Sequence, residues 1–208
     1  VLNNGQTGAV TFIGTVSPAG GNLKEPVTES TKKAARCFYA LEQNRADQKR
    51  YPAVNPIDSY SKYLEYPEIR EYLNETIMPG WVEMVERAKN IVRKGKEAND
   101  QINILGDDGV PMSYHEIFWK SELVDFVILQ QDAFDDIDAL CPIERQKYML
   151  ELVMGICDRD FTFDDFEACR NYFKELINAL RQMNYSEFKS ERFYENQEKL
   201  NNLLSNGK

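Results

Sequence analysis

Apolar and polar residues alternate near the start of the chain and take helical spacing after residue 67. Residues 9 to 16 read AVTFIGTV, a β-branched run that predicts one buried strand. The segment SPAGGNLKEPVT follows at residues 17 to 28. Its two glycines permit positive φ, and its prolines fix φ and remove donors. We therefore predict a strand that ends in a stiff, shaped loop.

The next segment has the polar pattern of a helix. Thr28 to Ser30 offer N-caps for a helix that runs to about Arg50. Tyr51-Pro52 ends this helix, because a residue before proline avoids helical geometry. Residues 51–61, YPAVNPIDSYS, are punctuated by proline and form what we call the connector.

From Pro67 onward the apolar residues recur with the period of amphipathic helices. A long helix is predicted to end at Gly106, with one apolar face made of Trp81, Val85, Ala88, Val92, Ile102 and Leu105. Later helices are predicted from four start signals, which are Ser113 with Glu116, Pro142, Thr162 and Ser186. These helices are predicted to end near Gln131, Cys157, Met183 and Leu204. Their apolar stripes must bury against one another, so the fold class is mainly α, with an antiparallel helical bundle after residue 67.

The net charge indicates which kinds of partner suit the chain, and the cysteine spacing indicates its redox environment. Thirty-four acidic residues against 25 basic ones give a net charge of −9, which disfavours nucleic acid and anionic membranes and suits a protein partner with basic patches. No stretch approaches the roughly 18 apolar residues of a membrane span. The four cysteines lie far apart without a CxxC motif, so we predict reduced thiols and a cytosolic chain.

Several kinds of catalytic chemistry find no motif here. The sequence has no GxxxxGK[ST] phosphate loop, and its first methionine is Met78, which predicts a piece excised from a longer polypeptide. The single histidine, His115, is predicted to be a partly exposed surface residue. DRDFTFDDFEAC resembles a calcium loop but has Phe163 in place of the turn glycine and Cys169 in place of the bidentate glutamate. We predict a helix N-terminus there, and no metal site.

QQDAFDDID at residues 130–138 combines two amides, a phenylalanine and four aspartates. It fits either a polar pocket rim with an aromatic wall or a helix end that runs into a solvated loop, with Phe134 packed in the bundle. Composition alone favours the second interpretation. Tyr51, in the connector, has a similar alternative, since such a tyrosine usually packs on a neighbouring element with its hydroxyl in water.

Three segments together resemble the catalytic A subunit (alpha chain) of V-type and archaeal-type rotary ATPases: GAVTFIGTVSPAGGNLKEPVTEST, RYPAVNPIDSYSKY and LQQDAFDDIDALCPIERQKYMLE. The resemblance implies that the chain is about the last third of that subunit. Residues 1–58 would be the C-terminal edge of an α/β nucleotide-binding domain with the connector, a short strand-loop-helix remnant. Residues 59–208 would be the C-terminal helical bundle domain.

The family also implies roles for individual residues. Tyr51 and Phe134 match aromatic residues on the two sides of the adenine ring, with Gln130 and Gln131 nearby. The opening loop matches one that faces the rotating shaft, through Ser17, Pro18, Gly20, Gly21, Glu25 and Pro26. At Ala19, Asn22, Leu23 and Lys24 this chain departs from the family's usual Pro, Asp, Phe and Ser, which removes one negative charge and adds a positive one.

The resemblance further implies ATP hydrolysis or synthesis coupled to ion transport. ATP or ADP with magnesium would bind the full-length subunit, whereas this fragment alone would be inactive and hold no tightly bound cofactor. The expected partners are B subunits and the central rotor, with no nucleic acid and no direct membrane insertion. The location would be cytoplasmic, peripheral on the membrane. The helical domain would act as a lever that swings about residues 55–62.

Two other classes of protein also fit the sequence. One is an independent acidic helical scaffold that binds proteins, for which the bundle pattern alone would be enough. The other is a non-catalytic B-type subunit or a subunit like the F-type β chain, whose matching connector is very similar. The absence of the acidic DELSEED stretch, and the run from QQDAF to CPIERQ, favour the A-type pattern over the F-type one.

Overall fold

The computed structural model describes residues 5–206, so the outermost residues of both predicted domains, 1–4 and 207–208, lie outside the described part. Helices account for 63% of the structure. They are α1 (Pro26–Ala34), α2 (Gln43–Asp47), α3 (Pro67–Thr76), α4 (Trp81–Leu105), α5 (Met112–Val124), α6 (Ile143–Cys157), α7 (Phe166–Asn184) and α8 (Glu191–Asn206). A π-helical turn, Asp125–Leu129, extends α5, and short 3₁₀ turns cover Ala19–Gly21, Lys62–Glu65 and Asp107–Gly109. The prediction of a mainly α fold is confirmed.

The core of the bundle lies among α4 to α8. Its fully buried side chains come from every helix after α4 and include Leu123, Val153, Phe173, Leu180 and Leu200. Burying a side chain of this size stabilises a fold by about 1.5–3 kcal/mol. The apolar stripes therefore pack as their spacing predicted.

Close approach of α4 and α5 depends on a glycine. A Cβ built on Gly95 would lie only 2.0 Å from the Cβ of Ser121. The buried face of α4 continues through Gly95 and Ala98, whereas the predicted face residue Leu105 is exposed. The predicted end of α4 is confirmed, since Gly106 follows it with a φ of 81°.

The strand predicted at residues 9 to 16 is wrong for the described structure. This segment has no regular secondary structure, and Val10, Phe12 and Ile13 are 98%, 91% and 87% exposed. A strand needs the backbone of a neighbour to complete its hydrogen bonds, and no described residue pairs with this segment. The alternating pattern alone is therefore not enough to form a strand within residues 5–206.

The single helix predicted from Thr28 to Arg50 is also wrong. The chain forms α1, then strand β1 (Cys37–Phe38), and then α2. Strand β1 pairs antiparallel with β2 (Tyr60–Ser61) at the end of the connector. This pairing replaces the middle of the predicted helix, because tertiary contacts override local propensity. Helix α1 begins with Pro26 at its first turn, not with a cap at Thr28, whose hydroxyl donates to Glu25 Oε1 at 2.9 Å.

Helix starts in the bundle were predicted less well than the helices themselves. Pro142 does precede α6, as expected. Ser113, however, lies inside α5, which begins at Met112 and continues through the π turn to Leu129. The two later cap predictions, Thr162 and Ser186, are wrong.

Neighbouring polar residues cap the last two helices instead. Asp165 precedes α7, and its carboxylate accepts the Ala168 N–H at 2.7 Å. Before α8, Ser190 Oγ accepts the Phe193 N–H at 3.2 Å. Ser186 is buried, and its hydroxyl donates to the Gln182 carbonyl at 2.7 Å. The buried hydroxyl thus satisfies the end of α7 rather than the start of α8.

The prediction of a partly exposed His115 is wrong. The side chain is buried, with its Nε2 2.9 Å from the carbonyl oxygen of Asp107. Its ring stacks on Phe166, with 5.5 Å between the ring centroids. The backbone turn after α4 supplies the hydrogen-bond acceptor, so the imidazole can be buried at low cost.

Candidate functional site

The chain around the predicted adenine-binding residue Tyr51 is fastened to the bundle by buried charges. Arg45 makes two hydrogen bonds to the Asp125 carboxylate, at 2.9 and 2.8 Å. Arg50 makes two to Glu122, at 2.9 and 2.8 Å, and one to Asp125 at 2.6 Å. The Arg50 guanidinium also lies 4.9 Å from the centre of the Phe126 ring. We call Arg45, Arg50, Glu122 and Asp125 the ion cluster.

Burial and charge act in opposite directions in the ion cluster. Burial lowers the pKa of Arg50, but its ion pairs with Glu122 and Asp125 outweigh that effect and raise the pKa overall. Asp125 is only 5% exposed, so its charge depends on both arginines for compensation. The end of α2 and the start of the connector are therefore held against the C-terminal end of α5.

A main-chain hydrogen bond joins the two predicted adenine-binding segments. The Gln131 N–H donates to the Tyr51 carbonyl at 2.9 Å. Tyr51 remains 54% exposed, and its hydroxyl donates to the Ala46 carbonyl at 3.4 Å. Phe134 is 99% exposed, so the interpretation that packed this ring into the bundle is wrong. Two aromatic side chains from segments distant in sequence thus face solvent close to one main-chain contact.

Phe134 lies in the loop from residue 130 to residue 142, which is shaped by its own aspartates. Asp138 is 7% exposed, and its Oδ2 accepts the Asp132 N–H at 2.7 Å. The Gln131 side chain donates to the Asp138 carbonyl at 2.6 Å. Asp135 Oδ1 accepts the Asp138 N–H at 2.8 Å. Burial raises the pKa of Asp138, although the Asp132 N–H and the charge of Arg145 oppose that shift.

A buried arginine links this loop to the bundle. Arg145, on α6, is 1% exposed and donates to the Asn184 carbonyl at 3.0 Å and the Asp138 carbonyl at 3.4 Å. Its Nε lies 3.1 Å from the Cys141 sulfur. The Asn184 side chain in turn donates to the Val127 carbonyl in the π turn at 2.8 Å. The loop, α6, the end of α7 and the π turn are thus joined by one chain of hydrogen bonds.

Gln130 borders a partly open pocket of about 320 Å³ between the connector, α4, the π turn and α6. Most of the pocket wall is apolar and includes Trp81, Val85, Ile128 and Met149. The Gln130 Nε2 is buried without a hydrogen-bond partner. This amide therefore has an unused donor directly before the segment that bonds to Tyr51.

The predicted rotor-facing loop contains a turn at its two glycines. Gly20 and Gly21 have φ values of 61° and 71°, and the Gly21 N–H donates to the Pro18 carbonyl at 3.1 Å. Lys24, one of the departures from the family pattern, donates its N–H to Asn22 Oδ1 at 3.1 Å. The other residues predicted to face the rotor lie on either side of this turn, with Ser17 before it and Glu25 and Pro26 at the start of α1. A role toward a rotor stays a prediction.

The side chains present fit one part of a nucleotide. Flat aromatic faces and amides suit an adenine ring.

Within residues 5–206, no group of three or more His, Cys, Asp or Glu side chains is arranged to hold a metal ion. None of the described helices is both long and apolar enough to cross a membrane.

The buried polar residues that hold the two site segments in place were not predicted from the sequence. The sequence did not indicate Arg45, Arg50 or Arg145 as site residues, although Arg145 lies in the segment CPIERQ that carries part of the resemblance. Spacing could not reveal Arg45 and Arg50, because their acceptors Glu122 and Asp125 lie 72 to 80 residues away in the sequence. An arginine at an apolar helix position, as in α6, was the available signal.

Comparisons with known proteins agree with the resemblance. The family described as "ATP synthase alpha/beta family, nucleotide-binding domain" matches residues 2–61, and the "C-terminal domain of V and A type ATP synthase" matches residues 70–161. The V-type ATP synthase alpha chain of Chlamydia abortus is 39% identical over 203 residues, which are 98% of this chain and 34% of that protein. The alpha chain of Borrelia duttonii is 39% identical over 208 residues, 100% of this chain and 34% of the relative.

A solved structure shares the fold. The ATP synthase subunit NeqB from Nanoarcheaum equitans matches with a TM-score of 0.51 and 18% sequence identity, covering 68% of this chain and 33% of that one. The chain spans about a third of the length of the alpha chains it matches. The two family matches and the relatives lead to one assignment: this chain belongs to the V-type and A-type ATP synthase family and corresponds to a C-terminal part of the alpha chain.

Proposed function

We propose that this chain forms one wall of the adenine pocket in a catalytic ATP synthase subunit. The observation that carries the proposal is the 2.9 Å hydrogen bond from the Gln131 N–H to the Tyr51 carbonyl. It brings together two segments that were assigned to the nucleotide separately, while the rings of Tyr51 and Phe134 stay exposed. The relatives are named as alpha chains, and this favours a catalytic subunit over a B-type subunit and over an independent scaffold.

The proposed chemistry of this part is binding and orientation. Tyr51 and Phe134 would offer flat faces to the base, and Gln130 and Gln131 would line its edge. Stacking on an aromatic side chain is worth about 1–3 kcal/mol per base and leaves the phosphates free for another domain. ATP or ADP with magnesium would bind the complete subunit, where the phosphate chemistry is supplied by residues outside this chain.

The rest of the chain would connect nucleotide binding to movement. In the complete subunit, ATP hydrolysis or synthesis would be coupled to ion transport through B subunits and a central rotor, peripheral on the cytoplasmic face of the membrane. The bundle would act as the lever, with the loop from Ser17 to Pro26 toward the rotor. The ion cluster limits where this lever bends, because a swing about residues 55–62 would have to open the contacts of Arg45 and Arg50 with α5.

The proposed adenine contact is tested by Tyr51→Ala in the complete subunit within its assembled complex. Loss of stacking should weaken ATP binding about fivefold to 150-fold. Tyr72→Ala is the matched control, since Tyr72 is a similarly exposed tyrosine on α3. An unchanged ATP affinity in the Tyr51 variant, with normal assembly, would remove the adenine assignment.

A further inference from the structure

We propose that Asp138 is a positioning residue, which holds Gln131 and Phe134 in place for the nucleotide base without touching the base itself. The proposal rests on the adenine-wall function above and deepens it. The segment QQDAFDDID made Asp138 one of four aspartates of a possible pocket rim, and the family resemblance gave it no role of its own. Its contacts lie behind the exposed residues of the loop from residue 130 to residue 142.

Phe134 cannot hold its own position, because its side chain is 99% exposed. Its place is set by the main chain on either side. The Phe134 N–H donates to Asp132 Oδ1 at 2.9 Å, and the Asp132 N–H donates to Asp138 Oδ2 at 2.7 Å. The Gln131 side chain donates to the Asp138 carbonyl at 2.6 Å. The contacts of Asp138 with Gln131 and Asp132 therefore close the part of the loop that contains Phe134.

Arg145 fixes Asp138 in turn. One guanidinium nitrogen lies 3.5 Å from Asp138 Oδ1 and 3.4 Å from the Asp138 carbonyl. The same guanidinium is held by the Asn184 carbonyl at 3.0 Å, and Asn184 bonds to the π turn that leads into Gln130. Both ends of the loop segment that carries Gln131 and Phe134 are thus tied to one buried group of polar side chains.

The geometry needs a carboxylate with two acceptor oxygens. One oxygen faces the Asp132 N–H and the other faces the Arg145 guanidinium, and both of these groups are donors. In Asp138→Asn, one of the two positions must be taken by an NH₂ group that also donates. That substitution keeps the side-chain size but sets a donor against a donor in a buried place.

The first test is hydrogen exchange in this chain. Asp138→Asn should speed exchange of the Asp132 amide about tenfold or more, because its hydrogen bond to a charged group is lost. Asp136→Asn is the matched control, since Asp136 is an exposed carboxylate two residues away. Unchanged exchange at Asp132 in the Asp138 variant would overturn the proposal.

The second test uses the complete subunit in its complex. Asp138→Asn should raise the KM for ATP about tenfold and leave kcat at saturating ATP within twofold, whereas Asp136→Asn should change neither. Faster exchange with an unchanged KM would overturn the positioning role, provided that Tyr51→Ala still raises KM. If Tyr51→Ala also leaves KM unchanged, the adenine-wall function itself has failed, and this inference fails with it.

A second variant keeps the test usable if Asp138→Asn does not fold. Asp138→Glu retains the charge opposite Arg145 but moves the acceptor by one methylene group. It should raise KM in the same direction, by less than the asparagine variant. A wild-type KM for Asp138→Glu, together with wild-type exchange at Asp132, would contradict the proposal.

Discussion

Arg45 and Asp125, 80 residues apart in the sequence, form a two-bond ion pair at 2.8 and 2.9 Å in the interior of the protein. Arg50 adds a third hydrogen bond to the same carboxylate. This arrangement makes the end of α2 and the start of the connector part of the same packed unit as α5. Tyr51, directly after Arg50, therefore moves with the bundle for as long as the ion cluster is closed.

Removing Arg45 should destabilise the chain strongly. Arg45→Ala leaves the buried Asp125 carboxylate with only one arginine, and breaking such a pair costs about 3–5 kcal/mol. The free energy of unfolding, from urea denaturation of this chain, measures the effect. Arg70→Ala is the control, because its ion pair with Glu83 is exposed and its loss should leave the midpoint unchanged. Equal midpoints for the two variants would show that the ion cluster does not hold the connector.

Gly95→Ala should also destabilise the bundle. The added methyl group would overlap Ser121, so α4 and α5 must separate, which costs about 1–3 kcal/mol. Gly155→Ala is the matched control in another helix, because a Cβ there meets nothing within 4 Å. It should stabilise the chain by about 0.5–1 kcal/mol through helix propensity. Thermal melts of both variants compare the two effects, and a stabilised Gly95 variant would contradict the close helix contact.

The four cysteines should separate into two classes. Burial raises the pKa of Cys157 to about 12 and that of Cys169 to about 12, so these thiols stay protonated in the folded chain. A thiol reagent at pH 8 should label the half-buried Cys37 and Cys141 first. Mass spectrometry of the labelled native chain identifies the sites. Rapid labelling of Cys169 before unfolding would be inconsistent with its buried position.

The same two thiols give a pH dependence with a definite sign. Their folded pKa values lie above the ordinary value of 9.0, so the folded state binds more protons than the unfolded state between pH 9 and about 12. Their contribution to stability is complete below pH 9 and is lost as the pH rises through that window. A Cys157→Ala, Cys169→Ala variant should therefore lose less stability between pH 8 and pH 10 than the parent chain. Parallel pH profiles of the two proteins would contradict this expectation.

Phe134 should matter for the nucleotide and not for the fold. Because its ring is almost fully exposed, Phe134→Ala should leave the free energy of unfolding of this chain within about 0.5 kcal/mol of the parent value. In the complete subunit it should weaken ATP binding about fivefold or more. Leu140→Ala is the control, since Leu140 is an exposed apolar residue in the same loop. A large loss of stability in the Phe134 variant would contradict the exposed position of the ring.

The helices of the bundle could be predicted from the sequence because their periodic apolar faces are long. Helix α4 has 25 residues and α7 has 19, so several turns repeat the same signal. Their starts were less predictable, because Thr162 and Asp165 are both suitable caps only three residues apart. The choice of Asp165 depends on where the chain enters the bundle, which spacing alone does not encode.

Residues 5–61 could be predicted less well because their structure depends on distant partners. Strand β1 interrupts a helical pattern since Cys37 and Phe38 pair with residues at the end of the connector. The segment from residue 9 to residue 16 has the pattern of a strand without a partner among the described residues. The resemblance assigned the aromatic and amide residues of the candidate site to the adenine ring, whereas the supporting roles of Asp138 and Arg145 became visible only through their contacts.

The most direct test of the adenine wall is photolabelling of the complete complex with a 2-azidoadenine nucleotide, followed by mapping of the modified residues. We expect modification at Tyr51 or within residues 130–134, and protection of those positions by excess ATP. Modification of this chain only at other positions, or no protection by ATP, would contradict the claim that these two segments enclose the base.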